Sequence, residues 1–244
     1  MGGTLTLGTA VGISGAAASP NMGSQTPTAA LSMLLALLNV RLAYWAPTPN
    51  RAFWRDSRPR LWPFYVLREL LSQTNELSPY CCLSDGGHFD NTGLYALVSR
   101  GCRYIVLSDC GADPKPCFED IGNAIRRCRI DFGAEIDLRI DSFLPEKETG
   151  AAAHFTVGSV TYSEAHARAL GWLDPEAEKS RKGVVIWIKP SLTMTDEPAD
   201  LRQYARQNPV FPQQPTSDQW YDEAQFESYR RLGGHTAREV FGGF

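Results

Sequence analysis

Residues 80–129, YCCLSDGGHFDNTGLYALVSRGCRYIVLSDCGADPKPCFEDIGNAIRRCR, alternate short apolar runs with amphipathic segments. Tyr80-Cys81-Cys82-Leu83 and Tyr104–Leu107 have the length and apolar character of buried strands. Thr92–Arg100 has helical spacing and stops at Gly101, a residue suited to a left-handed helix end. Phe118–Arg129 places Ile121, Ile125 and Cys128 on one side of a second helix. Strand, helix, strand, helix in succession predicts an α/β fold, with a largely parallel central sheet and helices on both faces.

Upstream, Thr9–Ser14 reads as a buried strand, and residues 15–28 as a loop of small residues with Pro20, Gly23 and Pro27. Thr26–Arg41 reads as a helix with Pro27 in its first turn. Residues 45–63 carry prolines at 47, 49, 59 and 63 and tryptophans at 45, 54 and 62, a composition that predicts an irregular loop. Phe64–Ser72 reads as a helix. Downstream, 134–140, 154–162 and 184–189 read as strands, and 199–206 and 217–232 as helices. The expected organisation is one domain over 1–244, with 134–244 a mixed extension of it. A buried strand almost at Met1 leads us to expect a fold that is incomplete at its N-terminus.

The formal net charge of −3 gives no basic surface for a nucleic acid. The six cysteines, at 81, 82, 102, 110, 117 and 128, contain no paired C-x-x-C spacing. We therefore expect reduced, mostly buried thiols, no metal and no cofactor. No charged n-region precedes an apolar core at the start, so no signal peptide is read. The most apolar run, Ala29–Val40, is shorter than the ~20 residues that span a bilayer. The expected location is the cytoplasm or the periphery of a membrane.

Asp85 is the leading catalytic candidate. A carboxylate at the C-terminal end of a buried strand enters the crevice where open α/β sheets hold ligands. Gly86 and Gly87 permit a sharp turn and close backbone approach. Asp85 could then act as general base toward a serine hydroxyl. His88 reads as a residue lining the site, and Asn91 as a helix cap or a residue that orients the turn. A metal held by Asp85, His88 and Asp90 lacks further ligands. Ser14, in Gly12-Ile13-Ser14-Gly15-Ala16, is similar to a G-x-S-x-G nucleophile elbow. Pro20, Asn21, Gly23 and Pro27 argue against the long helix that should follow, so Ser14 is read either as a nucleophile beside Gly15 or as a packing serine. Asp109 ends the second strand as a turn residue or a support beside the site. Arg126, Arg127 and Arg129 form a solvated helix face or meet an anionic headgroup. The three loop tryptophans pack on a core or face lipid.

The run Leu83–Tyr95 (LSDGGHFDNTGLY) resembles the Asp-Gly-Gly region of a bacterial branch of the patatin-like phospholipases, related to the cytosolic phospholipases. Ile13–Gly23 (ISGAAASPNMG), Asp218-Gln219-Trp220 and Gln225–Tyr229 (QFESY) are similar to further segments of that branch, in the same order. The resemblance implies a lipid acyl hydrolase that works through a Ser–Asp dyad, with Asp85 as base and a lipid or other ester as substrate. It also implies a serine elbow and a glycine-rich oxyanion loop ahead of the segment matching residues 9–23. The chain shows no such loop, so an inactive fragment or pseudoenzyme that binds lipid or protein is the alternative.

Overall fold

A computed structural model describes residues 6–15, 44–48, 59, 62–71, 73, 75, 77–146, 150–151, 153–215, 218 and 220–242. The helix expected at 26–41 lies outside them. The chain divides into two compact units, Met1–Asn91 and Thr92–Phe244.

In the first unit, α1 (Leu7–Ser14) replaces the strand expected at 9–14. An apolar run of strand length cannot be told from a short helix by pattern alone. The cap decides it here: Thr6 accepts a hydrogen bond from the Thr9 N–H at 3.1 Å and satisfies a donor at the first turn. β1 (Tyr44–Pro47) pairs antiparallel with β2 (Tyr80–Leu83), Trp45 facing Cys82 and Ala46 facing Cys81. The expected loop at 45–63 thus begins as a strand. The helix α2 (Trp62–Leu70) covers this ribbon through Tyr65, whose ring lies 5.0 Å from Trp45 and 5.5 Å from Tyr80, both edge-on. Trp45 is therefore a packing residue. Trp54 and the side chain of Trp62 lie outside the described residues.

The second unit is mixed α/β. Its elements are α3 (Leu94–Ser99), β3 (Tyr104–Ser108), α4 (Glu119–Phe132), β4 (Glu135–Asp137), a small ribbon of β5 (Pro145–Glu146) and β6 (Gly150–Ala151), then β7 (Phe155–Thr161), α5 (Glu164–Ala169), β8 (Lys182–Ile188), α6 (Ala199–Gln207) and α7 (Glu223–Phe241). The main sheet has the order β3-β8-β7-β4. Only β3 and β8 are parallel; β8–β7 and β7–β4 are antiparallel. The expected largely parallel sheet is thus corrected. β3 and β4, joined by α4, do run in the same direction, as a strand–helix–strand unit should. The antiparallel pair β7–β8 is inserted between them, so they never touch. The region after residue 134 supplies three of the four strands of this sheet.

One face of the sheet makes the core. Ile105, Leu107, Val185, Trp187, Val160 and Ile136 meet Leu94 and Val98 of α3 and Ile121, Ala124 and Cys128 of α4. Gly158 is required there, because a Cβ would lie 2.1 Å from the Asp137 carbonyl oxygen. Among the described residues no helix covers the opposite face, where one was expected: Tyr104, Val106 and Val157 keep 87, 50 and 55% of their surface. The α4 helix ends as its sequence predicts, with Gly133 at φ 59°. A second small core joins Leu201 of α6, Phe211 and Leu232 of α7. No described helix is long and apolar enough to cross a membrane.

Candidate functional site

The Asp85 turn follows directly from its local sequence. β2 ends at Leu83, and Asp85 caps a 3₁₀ turn over Gly86–His88. The Gly87 N–H donates to Asp85 Oδ1 at 2.8 Å. Asp85 Oδ2 has no hydrogen bond to a described residue. The half-buried carboxyl group is thus held by one oxygen. A Cβ at Gly87 would sit 2.9 Å from Asn91 Oδ1 and 3.3 Å from Asp85 Oδ1, so a side chain there would push the Asn91 and Asp85 side chains out of place. Gly86 has open space around it, so of the two glycines only the second is dictated by close approach. His88 is buried, and its Nδ1 shares a hydrogen bond with Ser84 Oγ at 3.1 Å. The structure therefore gathers Asp85, Gly87, His88 and Asn91 into one turn.

Ser14 is placed differently. It is the last residue of α1 rather than the first residue after a strand, and its hydroxyl donates to the Val11 carbonyl at 2.7 Å. The Gly15 N–H is spent on the Ile13 carbonyl. A helix C-terminus presents carbonyls and the negative end of the dipole, the opposite of what an oxyanion needs. No hydrogen bond among the described residues joins Ser14 to Asp85.

Sequence reading named Asp109 as a turn residue or a support, but missed the buried pair that it forms with Lys189 in the second unit. Asp109 and Lys189 follow the C-terminal ends of the adjacent parallel strands β3 and β8, and both are buried. Lys189 Nζ lies 3.4 Å from Asp109 Oδ2 and donates to the Gly111 carbonyl at 3.1 Å. Trp187 Nε1–H donates to the same Asp109 oxygen at 3.2 Å, and the Gly111 N–H to Oδ1 at 3.0 Å. Asp109, Gly111, Lys115, Cys117, Glu119 and Lys189 help line a cleft of about 280 Å³. Its place outside the carboxyl ends of parallel strands is where α/β sheets bind ligands. A charged residue directly after the last apolar strand, Lys189 after Ile188, was the available signal.

All six cysteines are thiols, but only Cys128 is buried; Cys110 and Cys117 are exposed because they sit in the turns that follow β3. Among the described residues, the group suited to hold a metal is His154, Asp196 and His235, whose ligand atoms all lie within 4.8 Å of one another. The Asp218 carboxylate, in one of the segments singled out above, accepts from Gln225 Nε2 at 2.8 Å and so ties a loop to the start of α7.

Comparison with protein-family models, curated proteins and solved structures found no match.

Proposed function

We propose that this chain supplies the general base, Asp85, of a lipid acyl hydrolase of the patatin-like type. The observation that carries the reading is the asymmetry of the carboxyl group. Oδ1 is fixed by the Gly87 N–H, and Oδ2 is left without a partner among the described residues. A fixed carboxylate with one oxygen left to accept is what a base acting on a serine hydroxyl requires. The ordered set of runs resembling that family supports it.

In this reaction Asp85 takes the serine proton as the serine oxygen attacks the ester carbonyl. The proton then passes to the leaving alcohol, and water repeats the sequence to release the fatty acid. The geometry of Ser14 is unsuited to the attacking role, so the nucleophile we favour is a serine on polypeptide outside residues 1–244, with Ser14 the competing source. The substrate is a lipid or other carboxylic ester met at a membrane periphery. The exposed apolar sheet face of Tyr104, Val106 and Val157 favours a second reading, in which the chain is an inactive module that binds lipid or protein.

Ester hydrolysis should be measured for residues 1–244 and for the polypeptide extended upstream through its natural reading frame. We expect little or no turnover from the first and clear turnover from the second. Asp85→Asn should lower the latter by about 10²–10⁴-fold, the range of a lost general base. Full activity in Asp85→Asn would refute the assignment. Efficient turnover by residues 1–244, abolished by Ser14→Ala, would move the nucleophile to Ser14. No turnover by either polypeptide would favour the binding module.

A further inference from the structure

Three separate segments of the second unit bring their polar side chains to one point. His154 immediately precedes β7, Asp196 and Glu197 lie in the loop between β8 and α6, and His235 and Glu239 are one turn apart on α7. His154 is completely buried. Its Nδ1 lies 3.0 Å from the Ser191 carbonyl oxygen, which can only accept, so Nδ1 carries the proton. In the neutral ring the lone pair is then on Nε2.

That Nε2 has no hydrogen-bond partner, although it is buried. Its neighbours are carboxylate oxygens, Glu239 Oε2 at 3.7 Å and Glu197 Oε1 at 3.8 Å. A lone pair turned toward carboxylates is repulsive unless something positive stands between them. His235 repeats the pattern: its Nε2 is buried without a hydrogen bond and lies 3.5 Å from Asp196 Oδ2. Glu197 Oε2 is a third buried atom with no partner. Among the described residues no lysine or arginine forms an ion pair with these three carboxylates.

The loop is also built to hold its shape. Glu197 Oε1 accepts from the Thr193 and Met194 N–H groups and from the Thr193 hydroxyl. Met194 sits at φ 62°, a conformation that this clamp maintains. Asp196 Oδ1 lies at 3.1 Å from the same Thr193 hydroxyl and shares its single proton with Glu197.

We propose that His154, His235 and Asp196, with Glu239 beside them, form a binding site for one divalent cation of zinc-like chemistry. Two imidazoles and carboxylate oxygens are a donor set that zinc takes readily. The Ser191 carbonyl, by fixing the His154 tautomer, does what an outer-shell acceptor does for a metal-bound histidine. Tetrahedral zinc places its ligand atoms roughly 3.3–3.6 Å apart, given bonds of about 2.0–2.2 Å. The His154, Asp196 and His235 atoms, already within 4.8 Å of one another, need side-chain movements of only about an ångström to close on it. The bound cation would tie α7 to the sheet and to the loop after β8. This site is independent of the acyl-hydrolase reading.

The test uses the full chain, stripped with a chelator and with its exposed thiols, Cys110 and Cys117, alkylated so that accessible cysteine cannot compete for the metal. Zinc titration followed by calorimetry and by elemental analysis after gel filtration should find about one equivalent. Cobalt substitution should give the visible bands of a tetrahedral nitrogen–oxygen site, and zinc should raise the melting temperature. His235→Gln and Glu239→Gln act on the less buried ligands, and circular dichroism checks that they fold. His235→Gln should weaken zinc binding at least tenfold, with a smaller loss for Glu239→Gln. Absence of stoichiometric binding to the alkylated protein would overturn the proposal, as would binding that folded His235→Gln leaves unchanged.

Discussion

Asp109→Asn should destabilise the second unit by about 3–5 kcal/mol, the usual cost of leaving one charge of a buried ion pair alone. The structure shows why the upper part of the range is within reach. Lys189 is almost fully buried, and without the Asp109 charge its ammonium keeps only the Gly111 carbonyl at 3.1 Å. The asparagine could still accept from the Gly111 N–H, so the local turn would persist and the loss would be electrostatic. Lys189→Met should cost less, about 1–3 kcal/mol. Asp109 then retains hydrogen bonds from Trp187 Nε1–H and the Gly111 N–H. The double variant removes both charges, and swapping a whole buried pair for uncharged groups is often near neutral. It should therefore be more stable than Asp109→Asn alone. Hydrogen exchange of the β3 and β8 amides reads this unit specifically. A loss of 3–5 kcal/mol corresponds to exchange about 10²–10⁴-fold faster, where opening limits it. Two results would refute the reasoning: a cost for Asp109→Asn no larger than a surface change, about 0.5 kcal/mol, or a double variant that loses the full sum of the singles.

Asp222→Ala should destabilise the start of α7 by about 1 kcal/mol, because Asp222 Oδ1 caps the Gln225 N–H at 2.7 Å; urea denaturation with an unchanged slope measures it, and no loss would show that the cap is replaced by water. Burial pushes the Tyr229 phenol up to about 12 from its ordinary 10.0. The folded state thus holds this proton more tightly than the unfolded state, so its stabilising effect is full below pH 10 and is lost as pH rises toward 12. Phenolate absorbance should show a late-titrating class, from which Tyr229→Phe removes one group; an unchanged late class would contradict the burial.

Short-range signals were legible and long-range ones were not. The strands at 80–83, 104–107 and 184–189 and the helix at 118–129 emerge within a few residues of their expected bounds, because apolar periodicity and a glycine stop act locally. Gly133 ends α4 where only a left-handed residue fits. The segment at 9–14 went the other way: the Thr6 cap, one side-chain hydrogen bond, settled a run whose pattern suits both states. The Asp85 turn could be read from Asp-Gly-Gly, since the bonds that shape it span two residues.

Strand direction in the main sheet could be inferred from β3–α4–β4, but strand neighbours could not. A buried strand has the same composition whether its partner runs parallel or antiparallel, and only the folded chain inserts β7 and β8 between β3 and β4. The same holds for chemistry. Asp85 and its glycines are adjacent in the chain, so the sequence by itself determined that turn. The Asp109–Lys189 pair and the His154–Asp196–His235 cluster are each assembled from distant segments, with no local spacing to announce them. Tertiary structure alone decided these sites, because side chains so far apart along the chain meet only once the sheet has closed and α7 has docked.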